Sequence, residues 1–426
     1  METLNRKNPP VIQQITNINI PKLEKGFLGN GIPYSALSGG SQEFVYMHLT
    51  FNAGALYSNQ KLVGSFTNNM LTCGTRNHTA QQIADTFDFY GAEIQTSCNP
   101  DYANISLFCL NKYADKLLPL FCEIISESVF PESELKIAVA NQKYKWTEDH
   151  ESTKILAKEA LMNQTFANHP YSRTAQLSDF DKLTVDTLRD FHAKHYNSNN
   201  CQLIIVGYIT NDVMKTIEST IGQMKTGKKV IADNVEIGGT ASIKPLIITK
   251  DTAVQTSLRM GCSTIKMQHP DYIRLHILLT VLGGYFGSRL MSNIREEKGY
   301  TYGISSTIVM YKQAGLLRIA SEVKAGFALQ VVDEIKKEMQ RLKDEPISNE
   351  ELNLVRNYMT GELIQQFDGP LLSFDQIYKT VAYGIDMSYY TDLQNTIQTI
   401  SAKDLQDTAN KYFDFDRLAT VIVGKE

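Results

Sequence analysis

The stretch "TLRDFHAKHYNSNNCQLIIVG" (Thr187–Gly207) returns near the end of the chain as "DLQDTANKYFDFDRLATVIVG" (Asp404–Gly424). Each copy reads as an amphipathic helix, a polar corner after a tyrosine (Tyr196, Tyr412), and an apolar strand closing on Val-Gly. A second pair keeps the same order. "ISLFCLNKYADKLLPLFCEII" (Ile105–Ile125) and "LRIASEVKAGFALQVVDEIKKEM" (Leu317–Met339) are each a strand, a short break and a helix with an i, i+3, i+4, i+7 apolar stripe. A charged helix follows in both places, "PESELKIAVANQKY" and "SNEELNLVRNYMTGEL", opening on cap-like Ser or Glu residues. The offset is roughly 210 residues throughout, so the chain reads as two copies of one α+β unit.

The expected organisation is therefore two homologous halves, residues 1–225 and 226–426. The seam falls in "GQMKTGKKVIADNVEIGGTASIKP" (Gly222–Pro245), rich in Gly, Lys and Thr and without a helical stripe. In the first half, strands are expected near Tyr46–Ala53, Glu93–Asn99, Ala103–Leu110 and Gln202–Gly207. Helices are expected near Leu62–Leu71, Ala80–Tyr90, Ala114–Ser126 and Glu132–Trp146. Strands come both as neighbours and separated by helices, which predicts a mixed or antiparallel sheet in each half with helices packed on one face.

Composition excludes several classes of function. The 426 residues are 42% hydrophobic and 21% charged, enough for two cores, and the formal net charge is −4 with no basic block or acidic tail. Neither nucleic acid nor an anionic membrane is an expected partner. No run approaches 18 apolar residues and the N-terminal residues hold no apolar core of a leader, so the expected location is the cytoplasm. The six cysteines (Cys73, Cys98, Cys109, Cys122, Cys201, Cys262) form no C-x-x-C pair and read as free thiols in apolar surroundings. His192 and His195 have helical i, i+3 spacing, but no acidic or thiol partner lies nearby to complete a metal site.

The chemistry turns on "VGSFTNNMLTCGT" (Val63–Thr75), a helix ending at a Gly-Thr turn with three small polar residues at helical spacing. With the helix "TAQQIADTFDFYGAEIQTS" that comes after it, it resembles the inverzincin zinc peptidases (M16 type) of the pitrilysin and mitochondrial processing peptidase kind. In that family the corresponding helix carries H-x-x-E-H before the G-T turn. The two histidines bind zinc, the Glu acts as general base on the metal-bound water, and a downstream Glu completes the site. Anchored on Gly74–Thr75, the resemblance places Ser65 and Asn69 at the histidine positions and Asn68 at the Glu position. The downstream ligand should fall near residues 142–145, yet no Glu occurs from Lys136 to Thr147. A ligand at Glu148 would need a register shift. Ser and neutral Asn are poor zinc ligands, and Asn is no general base near neutral pH. The three residues read as neutral substitutes in a degenerate metal site, able to satisfy one another by hydrogen bonding. Taken alone, the same letters describe an ordinary helix with a polar edge.

"GGYFGSRLMSNIREEKGYTYGISS" (Gly283–Ser306) resembles the family's other signature, an Arg on a helix and a Tyr seven residues later. Here they are Arg295 and Tyr302. The resemblance implies that the pair holds the substrate backbone and stabilises the oxyanion of the tetrahedral intermediate; a guanidinium and a phenol both donate toward developing negative charge. Gly283, Gly284 and Gly287 lack the spacing of a nucleotide loop and read as close packing.

The resemblance spans roughly residues 20 to 424. It implies a catalytically incomplete subunit of a heterodimeric zinc peptidase, inactive alone, with no metal or cofactor of its own. Arg295 and Tyr302 would act in trans on an active site whose zinc belongs to a homologous H-x-x-E-H-bearing partner, and the substrates would be peptides. A non-catalytic scaffold and a peptide-binding module of the same fold are the alternatives.

Overall fold

The computed structural model describes residues 18–237 and 244–425. The leader-free reading of residues 1–17 and part of the proposed seam lie outside the described residues. Among the described residues, eleven strands, β1 to β11, form two sheets. The first takes β1 (Glu24–Phe27), β2 (Pro33–Ser38), β3 (Phe44–Phe51), β4 (Glu93–Cys98), β5 (Ala103–Leu110) and β6 (Cys201–Gly207), in the spatial order β1-β2-β6-β3-β5-β4. The second takes β7 (Leu246–Thr249), β8 (Gln255–Thr264), β9 (Thr301–Met310), β10 (Gly315–Lys324) and β11 (Ala419–Gly424), in the order β7-β11-β8-β10-β9.

The repeat seen in the sequence is a repeat of topology. Without β1, the two orders correspond strand for strand. Among the described strands, β2–β6 and β7–β11 are parallel and the other pairs antiparallel. The two Val-Gly endings are equivalent in detail. Gly207 (φ +127°) and Gly424 (φ +151°) both adopt backbone that favours glycine. A Cβ on either would sit 2.3 Å from the Phe44 carbonyl oxygen or 2.7 Å from Thr256 Cα. The helices Ala114–Glu127 and Ala328–Asp344 follow β5 and β10, and the helices Glu132–Asp149 and Asn349–Gln365 come next, as the second repeat pair predicts. Their starts differ. Ser348 caps its helix by accepting from Glu351 N at 3.1 Å, whereas the earlier helix opens on Pro131 without a side-chain cap.

Each sheet has a core on one face whose buried residues come from its own half, with Ile18, Ile20 and Leu23 packing against the second. The other face is covered by a helix lent from the opposite half, an exchange that the sequence pattern does not predict. Ala157 and Leu161 of the helix Thr153–Thr165 pack on Ala419, Val421 and Val423 of β11. Ile377 of the helix Pro370–Tyr383 packs on Ile204 and Val206 of β6. This exchange explains the unbroken apolar runs "LIIV" and "ATVIV": strands covered on both faces need not alternate.

The halves are joined by a buried polar contact where the β4–β5 and β9–β10 turns meet. The Asp101 carboxylate accepts from Tyr171 OH at 2.6 Å and from Lys312 N at 2.9 Å. The Lys312 ammonium donates to Asn52 Oδ1 at 2.8 Å and Tyr57 OH at 2.7 Å. Burial pushes the Asp101 carboxyl up and the Lys312 amine down. No described helix is long and apolar enough to cross a membrane.

Candidate functional site

The helix Val63–Asn69 lies between β4 and the helix Val185–His195. The expected helix from Leu62 to Leu71 is shorter at both ends. Leu62 takes a left-handed φ of 68° and sits outside the helix, and beyond Asn69 the chain tightens into a turn at Leu71–Cys73. Three of the expected site residues lie on this helix, Ser65 and Asn69 on one face and Asn68 on another.

Asn68 points inward and is fully buried. Its Nδ2 donates to the carbonyls of Ser97 and Asn104, both at 2.9 Å, and its Oδ1 accepts from Tyr196 OH at 3.0 Å. The amide is therefore a cross-brace joining the helix to the β4–β5 hairpin and to the corner tyrosine of the repeat. Ser65 donates to the Leu62 carbonyl at 2.9 Å. Asn69 is exposed, with Thr96 Oγ1 at 3.5 Å from its Oδ1. The expectation that these residues satisfy one another is corrected: Ser65 bonds back to its own helix, Asn68 to the hairpin and Tyr196, and Asn69 faces Thr96.

Ser65 and Asn69 share a cavity of about 330 Å³ with Gln142 and Lys145, the region expected to hold the downstream ligand. Trp146, Asp149, Cys73 and Phe180 also line it, and Asn68 does not. Trp146 is held by a bond from Nε1 to the Ala175 carbonyl at 3.1 Å and by stacking on His150. This donor set does not fit a catalytic zinc. It offers no imidazole, burial pushes the Cys73 thiol up to about 11, and the amide at the general-base position faces away. Among the described residues, no group of three or more His, Cys, Asp or Glu is placed to hold a metal ion. His192 and His195 each face a backbone carbonyl, of Ile125 at 2.7 Å and of Asn52 at 2.8 Å. All six cysteines are free.

The second element is built around a wide helical turn. Residues Met291–Glu297 wind with π-type hydrogen bonding, Lys298 N donating to Asn293 O at 3.1 Å, a geometry frequent at functional sites. Gly299 (φ +64°) then reverses the chain into β9. Lys298 anchors this reversal through Glu334 Oε2 at 2.8 Å and Asn293 Oδ1 at 2.5 Å. Hydrogen bonds from Lys298 and Lys337 hold the Glu334 carboxyl down to about 2. Arg295 and Tyr302 flank the anchored turn. Among the described residues, neither side chain makes a hydrogen bond or an ion pair within the chain. Tyr302 is 89% exposed at the second position of an edge strand, and the Arg295 guanidinium lies 4.4 Å from the centre of the Phe286 ring. Neither residue lines the Ser65–Asn69 cavity.

The glycines of "LGGYFGS" serve close packing, as expected. A Cβ on Gly283 would sit 2.8 Å from Ser306 N, and one on Gly287 would sit 2.9 Å from the Tyr285 ring. Two residues of the site were not expected from sequence: Phe286 in this turn, and Tyr196 as the partner of Asn68. Tyr196 had a signal, its place at the corner of the repeat. Phe286 had none apart from an aromatic residue among glycines.

Comparison with known proteins bears on the family and the fold. Residues 36–177 match the family model described as insulinase (peptidase family M16), and residues 182–359 match the peptidase M16 inactive domain. An uncharacterized zinc protease of Rickettsia felis is 26% identical over 420 residues, covering 95% of this chain and 97% of that one. The non-peptidase homolog YmxG of Helicobacter pylori is 22% identical over 387 residues, 89% of each chain. The crystal structure of a peptidase M16 inactive domain from Pseudomonas fluorescens superposes with a TM-score of 0.88 at 22% identity, covering 95% of this chain and 99% of that one. Two homologous α+β halves, both family models in order, and a sequence without H-x-x-E-H lead to one conclusion: the chain belongs to the M16 peptidase family, among its inactive homologues.

Proposed function

We propose that this chain is the non-metal subunit of a heterodimeric zinc peptidase, lending Arg295 and Tyr302 to an active site whose zinc is held by an H-x-x-E-H-bearing homologue. The observation that carries the reading is the state of those two side chains. Neither side chain has a hydrogen-bond partner among the described residues, and Tyr302 is exposed, beside a turn fixed by Lys298, Glu334 and Gly299. Neither donor is taken up by the fold, so both stay free to reach a group from outside. Their separation from the Ser65–Asn69 cavity supports action in trans. The substrate class rests on the sheet edges. β4 and β9 are both edge strands, and an extended peptide adds to such an edge through main-chain hydrogen bonds that tolerate many sequences.

The test is complementation. This chain alone, the H-x-x-E-H homologue of the same genome alone, and an equimolar mixture are each assayed on a quenched peptide, with co-elution measured by size exclusion. The reading predicts co-elution and cleavage by the mixture only. A homologue that cleaves equally well without this chain would reject it. A mixture that binds the peptide without cleaving it would favour a peptide-binding module.

A further inference from the structure

We propose that Phe286 is a positioning residue for Arg295, holding the guanidinium by a cation–π contact so that its N–H fork stays free for a peptide carbonyl or oxyanion. The inference rests on the reading of Arg295 given above. The Arg295 Cζ lies 4.4 Å from the centre of the Phe286 ring, well within the range of such contacts. No carboxylate competes for it: among the described residues Arg295 forms no ion pair. A carboxylate partner would fix the guanidinium by occupying its N–H groups, whereas an aromatic face fixes it and leaves them open.

Phe286 itself is not held by the core, since 62% of it is exposed. The turn that carries it is held firmly on both sides. Tyr285 stacks on Tyr358 with ring centres 4.9 Å apart. Arg289 makes a two-bond pair with Glu351, Nε to Oε1 at 2.8 Å and Nη2 to Oε2 at 2.9 Å. Ser288 N donates to the Tyr285 carbonyl at 3.1 Å, closing the turn between them. The neighbours are thus pinned inward while the residue between them is turned out, over Arg295.

The experiment uses the two-chain peptidase on a quenched peptide, comparing wild type, Phe286→Leu, Phe286→Trp, Arg295→Ala and the Arg295→Ala/Phe286→Leu double variant, with folding checked by circular dichroism. Phe286→Leu keeps apolar bulk and removes the ring. It is expected to lower kcat/KM by between about twofold and thirtyfold, the span of exposed to desolvated cation–π contacts. Phe286→Trp is expected to restore it. The double variant is expected to be no worse than Arg295→Ala, because Phe286 acts through Arg295. Unchanged kcat/KM in Phe286→Leu while Arg295→Ala is impaired would overturn this inference alone, as would a fully additive loss in the double variant. An unimpaired Arg295→Ala would overturn both this inference and the function on which it rests.

Discussion

Replacing Asn68 with Asp swaps an NH2 for an oxygen at a fully buried site, and the surrounding carbonyls determine the cost. Asn68 Nδ2 donates to two backbone carbonyls, of Ser97 and Asn104, each at 2.9 Å. An ionised carboxylate would set negative oxygen against both. The variant folds only with the acid protonated, donating to one carbonyl and leaving the other unpaired. Holding an Asp protonated at pH 7, about three units above its ordinary pKa, costs about 4 kcal/mol, and the lost bond adds about 1 kcal/mol. The total of about 5 kcal/mol equals the whole stability of a marginal domain. The sign of the pH dependence is fixed. The folded pKa is raised above the unfolded one, so relative stability is present below the unfolded value and is lost as pH rises. At pH 5 the protonation part falls to about 1.5 kcal/mol, giving a penalty of about 2.5 kcal/mol. Asn68→Ala also releases Tyr196 OH and should cost about 3 kcal/mol at either pH. The assay is urea unfolding at pH 7 and pH 5, followed by the chain's single tryptophan, Trp146. An Asn68→Asp penalty under about 1 kcal/mol at pH 7, or one that does not shrink at pH 5, would refute the cross-brace. By the same reasoning, Ser65→His/Asn68→Glu/Asn69→His does not rebuild a peptidase, since a carboxylate at this position meets carbonyl oxygens.

Three further perturbations have definite outcomes. Burial lowers His48, His195 and His276 each to about 4, so they are neutral in the fold and take up protons on unfolding. Their contribution is present above about pH 6.5 and lost as pH falls toward 4, about 2 kcal/mol each by pH 5, which urea midpoints across pH 7 to 5 will show and His276→Gln will partly flatten. Lys312→Met leaves Asn52 and Tyr57 without the ammonium at the junction of the halves and removes the charge facing buried Asp101. It should destabilise by about 3 kcal/mol and speed tryptic cleavage in the segment 224–237, read by limited proteolysis. Gly207→Ala and Gly424→Ala force a Cβ onto Phe44 O and Thr256 Cα at positive φ. Each should lower stability by more than about 2 kcal/mol, and thermal melts should show the two repeat positions responding alike.

The repeat was legible because it lies in local pattern. Strand, break and helix recur with their apolar periods intact, and the Val-Gly endings mark equivalent backbone at Gly207 and Gly424. The exchange of the helices Thr153–Thr165 and Pro370–Tyr383 between halves was not legible, because a helix's apolar stripe shows that it packs but not on which sheet. The short strands β1 and β2 also went unread. Glu24–Phe27 is largely exposed and carries neither a sustained alternation nor an apolar run. At the site, the identities of Ser65, Asn68 and Asn69 told what chemistry was missing, but not where each side chain turns. That depends on Tyr196, more than a hundred residues away in sequence, and on carbonyls of β4 and β5 that no residue letter announces. The Arg295–Tyr302 spacing was readable, and so was the Glu-Lys-Gly turn between them. The ring of Phe286 over Arg295 was not, because its orientation depends on Tyr358 and Glu351 bracing the turn from another helix.

The most direct test of the central claim is the peptidase activity of the two-chain mixture when this chain carries Arg295→Ala/Tyr302→Phe, with the zinc content of the complex measured alongside. The account predicts an intact complex that holds its full zinc and has lost cleavage, since only the donors supplied in trans are gone. Full cleavage by that complex would contradict it and leave this chain a scaffold for an active site complete in its partner.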